Sequence, residues 1–134
     1  DSKKIYEIFF KDRYWIISVA MVIHLLMIVF SKVIVLTIFG EEYSGAVNSL
    51  RVLLVGSAIN YFFVFYRLFY NTTNRYKALQ VTNIARSIIN IVLDVPLVMC
   101  YGIIGAAYAT TISIIITFIF SWGYCERKIK TIAK

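Results

Sequence analysis

Four residues able to handle a charged or sugar-like ligand recur three, four and four positions apart: Asn83, Arg86, Asn90 and Asp94. At 100° per residue they fall within about 80° of arc on one face of a helix. A guanidinium grips phosphate oxygens with two parallel hydrogen bonds, amides exchange hydrogen bonds with hydroxyls, and a carboxylate takes up a proton or a cation. Their neighbours are apolar, among them Ile84, Ile88, Ile91 and Val92, so this chemistry would take place in hydrocarbon. Polar groups at such a depth face a bundle interior or a wet cavity, which makes them candidates for a transport pathway.

Arg86 is the leading site residue. It lies about nine residues from Lys77, or roughly 14 Å at the helical rise, near the middle of a bilayer about 30 Å thick and too deep to snorkel easily. Two readings stand open: a cationic contact for an anionic substrate, or a charge satisfied by Asp94 or a backbone carbonyl. Asn60 and Arg67, seven apart with Tyr61 and Tyr66 nearby, form a second pair of substrate-binding candidates, although Arg67 sits close enough to the span end to serve as a topology anchor. Asp94 and His24 are candidates for coupling or gating. A lone membrane histidine shuttles protons in some transporters and ties helices together in other bundles. Thr110, Ser113, Thr117 and Ser121 share one arc, a spacing at which hydroxyls bond their own backbone or a neighbouring helix.

No nucleophile–base set, glycine-rich phosphate loop or metal-spaced cysteine and histidine cluster occurs, so the chain reads as no enzyme and as needing no cofactor or metal.

Positioning these residues requires helices that cross a membrane. Hydrophobic residues make up 60% of the 134, against the roughly 45–50% usual in soluble domains, and the mean hydropathy is +0.78. Four apolar runs predict an all-α integral membrane fold with spans at about 14–39, 46–70, 77–100 and 103–124. Gly40 is the natural stop of the first, and Asn71-Thr72-Thr73-Asn74 the turn after the second. Pro96 should kink the third in its last turns and free the Val92 carbonyl. The fourth runs from Ile103 to Tyr124 without a charge, and its paired small residues Gly102 with Ala106 and Gly105 with Ala109 predict close approach of a neighbour. Transmembrane β-strands are excluded because the runs do not alternate. Cys100 and Cys125, at opposite ends of the fourth span, are roughly 30 Å or more apart and cannot form a disulfide within the chain.

The net charge of +7 reports orientation. Lys3, Lys4, Lys11 and Arg13, then Arg67, Arg75 and Lys77, then Arg127, Lys128, Lys130 and Lys134 all fall on one side of a four-span chain. The other side has Lys32 and Arg51 beside Glu41 and Glu42, and then no cation at all. By the positive-inside rule both termini are cytoplasmic. A nucleic-acid partner is discounted because the basic residues are spread over loops with no recognition element. On that side Asn71-Thr72-Thr73 reads as a turn, despite matching a glycosylation acceptor pattern. The opening on Asp1, with no signal-peptide layout, reads as a piece of a longer polypeptide.

Several motifs occur in an order that resembles polysaccharide flippases: Phe39-Gly40-Glu41-Glu42-Tyr43-Ser44-Gly45-Ala46, Leu50-Arg51-Val52-Leu53-Leu54, Asn90-Ile91-Val92-Leu93-Asp94, and Tyr101-Gly102-Ile103-Ile104-Gly105-Ala106-Ala107-Tyr108-Ala109-Thr110. From about Tyr14 to Tyr124 the chain is similar to the C-terminal region of O-antigen or capsular-polysaccharide flippases, in the superfamily that includes multidrug and toxin extruders. One departure is visible: the family often has proline just before the tyrosine–glycine pair, where Met99-Cys100 stands here.

The resemblance implies that residues 1–134 supply the last helices of a two-lobe transporter of twelve to fourteen helices in the bacterial inner membrane. The missing N-terminal helices of the same polypeptide and the membrane lipids would be its partners. It also implies a substrate, an undecaprenyl-diphosphate-linked oligosaccharide used in lipopolysaccharide or capsule synthesis, exported by alternating access. Other classes are a multidrug-type cation antiporter, which prefers acidic cavity residues, a self-contained four-helix transporter, and a structural membrane subunit, which needs no deep arginine.

Overall fold

The computed structural model describes residues 12–132. Asp1, Lys3, Lys4, Lys11 and Lys134, which enter the reading of origin and topology above, lie outside the described residues.

Four helices account for nearly the whole of it: α1 (Arg13–Phe39), α2 (Ala46–Thr72), α3 (Tyr76–Tyr101) and α4 (Ile103–Ile132). All four are long and apolar enough to cross a membrane. One turn of 3₁₀ helix, Glu41–Tyr43, sits between α1 and α2.

Glycine sets two of the boundaries. Gly40 has φ +94° and Gly102 φ +64°, left-handed conformations that a side chain disfavours. Their N–H groups donate to the carbonyls of Leu36 at 3.1 Å and Val98 at 2.8 Å, closing the last turns of α1 and α3. Gly102 is also the entire link between α3 and α4. The α2–α3 turn is shorter than its composition suggests, because α2 continues through Asn71 to Thr72. Thr73 closes α2 through its hydroxyl and its N–H, both donated to Phe69 O, and Asn74 turns the chain with φ +55°. At its far end α4 runs past Tyr124 to Ile132, since Glu126, Arg127 and Lys128 are good helix formers that happen to be polar. The helix α3 continues through Pro96.

The helices stand in the order α1, α2, α4, α3. Helix α4 packs along both α2 and α3, α1 packs mainly on α2, and α2 meets α3 only sparingly. The buried residues of α1, Ala20, His24, Ser31 and Val35, follow one stripe of that helix. Its other faces expose Ile16, Val22, Val29 and Val33, a surface suited to hydrocarbon.

Opposite ends of the bundle use different packing. Where α2 ends and α3 begins, Phe63, Phe65, Tyr66, Phe69, Tyr70, Leu79 and Cys125 form the buried core. Tyr70 and Tyr124 stack with centroids 6.0 Å apart. Towards the other end the contacts are made by small residues. A Cβ on Gly56 would press on Thr111 Oγ1 at 2.8 Å, and one on Gly105 would collide with the Leu97 carbonyl. Gly105, Ala107 and Ala109 are buried, and Gly105 admits the backbone of α3 at Leu97. Gly102–Ala106 does not work that way: Gly102 is exposed with open space around its Cβ position, and its role is conformational. Cys100 and Cys125 are free thiols.

Candidate functional site

Helix α3 brings Arg86 to the seam where α2 and α4 meet it. The guanidinium Nε donates to Thr117 Oγ1 of α4 at 3.1 Å, and Nη1 donates to Asn60 Oδ1 of α2 at 3.1 Å. Its carbon lies 4.8 Å from the centroid of the Phe63 ring, a cation–π distance. The Nη2 group is enclosed and has no hydrogen-bond partner among the described residues. No carboxylate of the described residues comes within ion-pair distance of Arg86. The Arg86–Asp94 pair weighed from the sequence is therefore not formed. Two helical turns along one helix, about 12 Å of rise, separate the two residues, too far for side chains on one face to meet.

Asp94 belongs to a second cluster nearer the Gly102 end of α3. With the Asn90 amide oriented to satisfy both of its ends, Nδ2 donates to Asp94 Oδ2 at 3.0 Å and Oδ1 accepts from Thr110 Oγ1 at 3.2 Å. Asp94 Oδ1 is buried with no partner among the described residues. The carboxylate thus keeps an acceptor for a proton or a cation.

Both clusters draw on the hydroxyl arc of α4. Ser113, Thr117 and Ser121 are almost fully buried. Ser113 donates to Thr110 O at 2.8 Å, and Thr117 to Ser113 O at 2.8 Å. The backbone takes their protons and leaves the Thr117 oxygen to accept from Arg86. One stripe of α4 therefore serves as neutral acceptor for a cation of α3 and as donor to an amide of α3.

The other sequence candidates are placed elsewhere. Asn83 is exposed and makes no side-chain hydrogen bond among the described residues. It starts the polar stripe, but its side chain falls on the part of the arc that α4 does not cover. Arg67 is exposed and makes no hydrogen bond to Asn60 or Arg86 among the described residues, since seven residues of α2, about 10 Å of rise, separate it from Asn60. His24 is buried on the α1–α2 seam. Its Nδ1 approaches Ala20 O at 2.8 Å, a contact only a protonated Nδ1 can donate. Nε2 is hydrogen-bonded with Ser57 Oγ at 3.1 Å, and Tyr61 meets the ring edge-on with centroids 5.1 Å apart. With both ring nitrogens partnered, the imidazole ties α1 to α2, the helix-to-helix alternative weighed for it, and joins neither cluster.

Two features were not anticipated. Phe63 as a cation–π floor carried no signal, since apolar residues surround it in the chain. The second lies at the opposite reach of the bundle. Arg13 Nη1 donates to Glu126 Oε1 at 2.9 Å, and Tyr66 Oη donates to the same oxygen at 3.3 Å. They close the polar end of a cleft of about 330 Å³ between α1, α2 and α4.

Among protein-family models, curated proteins and solved structures, none matches this chain. Any functional reading therefore rests on the residues and the motif order described above.

Proposed function

We propose that this chain forms part of a multi-pass transporter of the bacterial inner membrane that turns an undecaprenyl-diphosphate-linked oligosaccharide to the outer face for cell-surface polysaccharide synthesis. The observation that carries this reading is Arg86, held in mid-span by an amide, a hydroxyl and an aromatic ring, with no carboxylate among the described residues to balance it. A cation with neutral partners in a low-dielectric setting keeps most of its field. That field favours an anion, and the planar fork suits a diphosphate. Asn60 and Thr117 hold the guanidinium in place, and Asn83, on the uncovered part of the same stripe, offers an amide of the kind sugars need, while the Asn90 amide is engaged by Asp94 and Thr110. The order of the glycine–glutamate–tyrosine and glycine–alanine motifs adds the family context.

Asp94 supports a second reading, a multidrug-type cation antiporter, through a carboxylate oxygen that has no partner among the described residues. In the flippase reading the same oxygen is a place for a coupling proton.

Export of lipid-linked sugar in a flippase-deficient bacterial strain, measured beside protein level, separates these readings. Arg86→Ala, and Arg86→Ala combined with Asp94→Asn, leave the protein in the membrane and abolish export, while Arg86→Lys keeps part of it. Export restored in the double variant would assign Arg86 to the scaffold. Absence of export by the unaltered protein in that strain would favour the antiporter.

The asymmetry of lysine and arginine supports cytoplasmic termini for this segment, together with a cytoplasmic Asn74 turn and an outward Glu41–Tyr43 turn. An impermeant thiol reagent applied from outside should label a single cysteine placed at position 42 and spare one at 74; the reverse pattern inverts the topology.

A further inference from the structure

The cleft between α1, α2 and α4 has a polar end and an apolar floor. At the polar end the Arg13 and Glu126 side chains are 15% and 18% exposed and 2.9 Å apart. Ile17, Phe62 and Phe118 line the floor, where the Phe62 and Phe118 rings meet edge-on with centroids 5.9 Å apart. The volume, about 330 Å³, lies at the lower end of the range of small-ligand sites.

Its depth follows from the chain. The first long apolar helix opens at Arg13, and the uncharged run of α4 closes at Tyr124, just before Glu126 and Arg127. Tyr14 and Trp122 at the rim are 60% and 53% exposed, and aromatic residues of this kind sit at the headgroup level of a bilayer. The cleft thus straddles the boundary between headgroups and hydrocarbon.

Charge then narrows the ligand. Among the described residues, both hydrogen bonds that Glu126 accepts end on Oε1, which leaves Oε2 for another donor. An anionic headgroup drawn to Arg13 would face the Glu126 carboxylate. A headgroup carrying both signs meets each partner with its opposite, and a primary ammonium also donates hydrogen bonds, which a quaternary one cannot.

We infer that this cleft binds a phospholipid of the phosphatidylethanolamine type, its phosphate at Arg13, its ammonium at Glu126 Oε2 and the start of one acyl chain along Ile17, Phe62 and Phe118. The site is independent of the Arg86 seam and of the transport reading.

The experiment is native mass spectrometry of the full chain, delipidated in detergent and offered an equimolar mixture of phosphatidylethanolamine, phosphatidylcholine and phosphatidylglycerol with identical acyl chains. The ethanolamine lipid should be retained roughly ten-fold over the other two, the factor expected for one charge-assisted hydrogen bond. Glu126→Gln should bring it down to the level of the choline lipid, and Arg13→Gln should lower retention of all three. Free phosphoethanolamine should not displace the lipid, since it leaves the apolar floor unfilled. Equal retention of the three lipids, a preference for the anionic one, or an unchanged preference in Glu126→Gln overturns the proposal.

A readout that leaves the ion pair intact guards against misfolded variants. In a Trp15→Phe background, Trp122 fluorescence should be quenched more by ethanolamine lipid brominated near the headgroup than by its choline counterpart, and equal quenching again overturns the site.

Discussion

Arg13 and Arg86 are the same side chain in two opposite settings. Arg13, where α1 begins, meets the Glu126 carboxylate and the Tyr14 hydroxyl. Arg86, deep in α3, meets an amide oxygen, a hydroxyl oxygen and an aromatic face, and no carboxylate among the described residues. The order is the reverse of what charge economy alone would give, because a counter-ion matters most where water is furthest away. A bundle that only needed stability would neutralise the inner arginine first. Leaving it uncompensated is what a site for an anion requires, and the contrast can be tested by making the two arginines alike.

Supplying Arg86 with a carboxylate should have the larger effect. Asn60→Asp places an acceptor of nearly the same shape at the 3.1 Å contact with Nη1 and neutralises the site. Export should fall by about ten-fold or more, as expected for losing an interaction of at least 1.4 kcal/mol, while the midpoint of thermal unfolding in detergent stays level or rises. A variant that keeps full export would show that the uncompensated charge is incidental.

A smaller effect should follow from loosening Arg86 without changing its charge. Thr117→Val removes the acceptor of Nε and should cost about 1–3 kcal/mol of stability, the range for a buried donor left without its partner. Export should fall only in part, since the Asn60 contact and the cation–π floor remain. The check is the unfolding midpoint beside the export rate. An unchanged midpoint would mean that Nε finds another acceptor along the α4 hydroxyl stripe.

Much of the architecture can be read from the residues because the bilayer demands long apolar helices and the backbone demands glycine at two turns. Gly40 and Gly102 end their helices through positive φ, a constraint visible in one dimension. The end of α4 was harder to see, since leaving the membrane and leaving the helix are different events and charge marks only the first. The Arg86 site was half visible. Its stripe on α3 followed from spacing, and Thr117 was marked as one of a hydroxyl arc whose partners lie on its own or a neighbouring helix. That Asn60 and Thr117 would both meet Arg86, and that Asn83 and Arg67 would not, depends on α4 standing between α2 and α3. No periodicity within a single helix carries that order. The Arg13–Glu126 pair was hidden for a similar reason, its partners lying 113 positions apart.

Gly102, the lone residue between α3 and α4, also bears on mechanics. A connection of one residue gives no slack, so these two helices cannot slide past each other and would swing as a single lever in any rocking of the bundle. The seam that yields in such a swing is the one against α2. Of the two Arg86 hydrogen-bond partners, Thr117 would travel with the lever, and Asn60 would stay with the fulcrum. The 3.1 Å bond from Arg86 to Asn60 would then act as a catch, and the ligand that competes for that guanidinium would be the one that releases it.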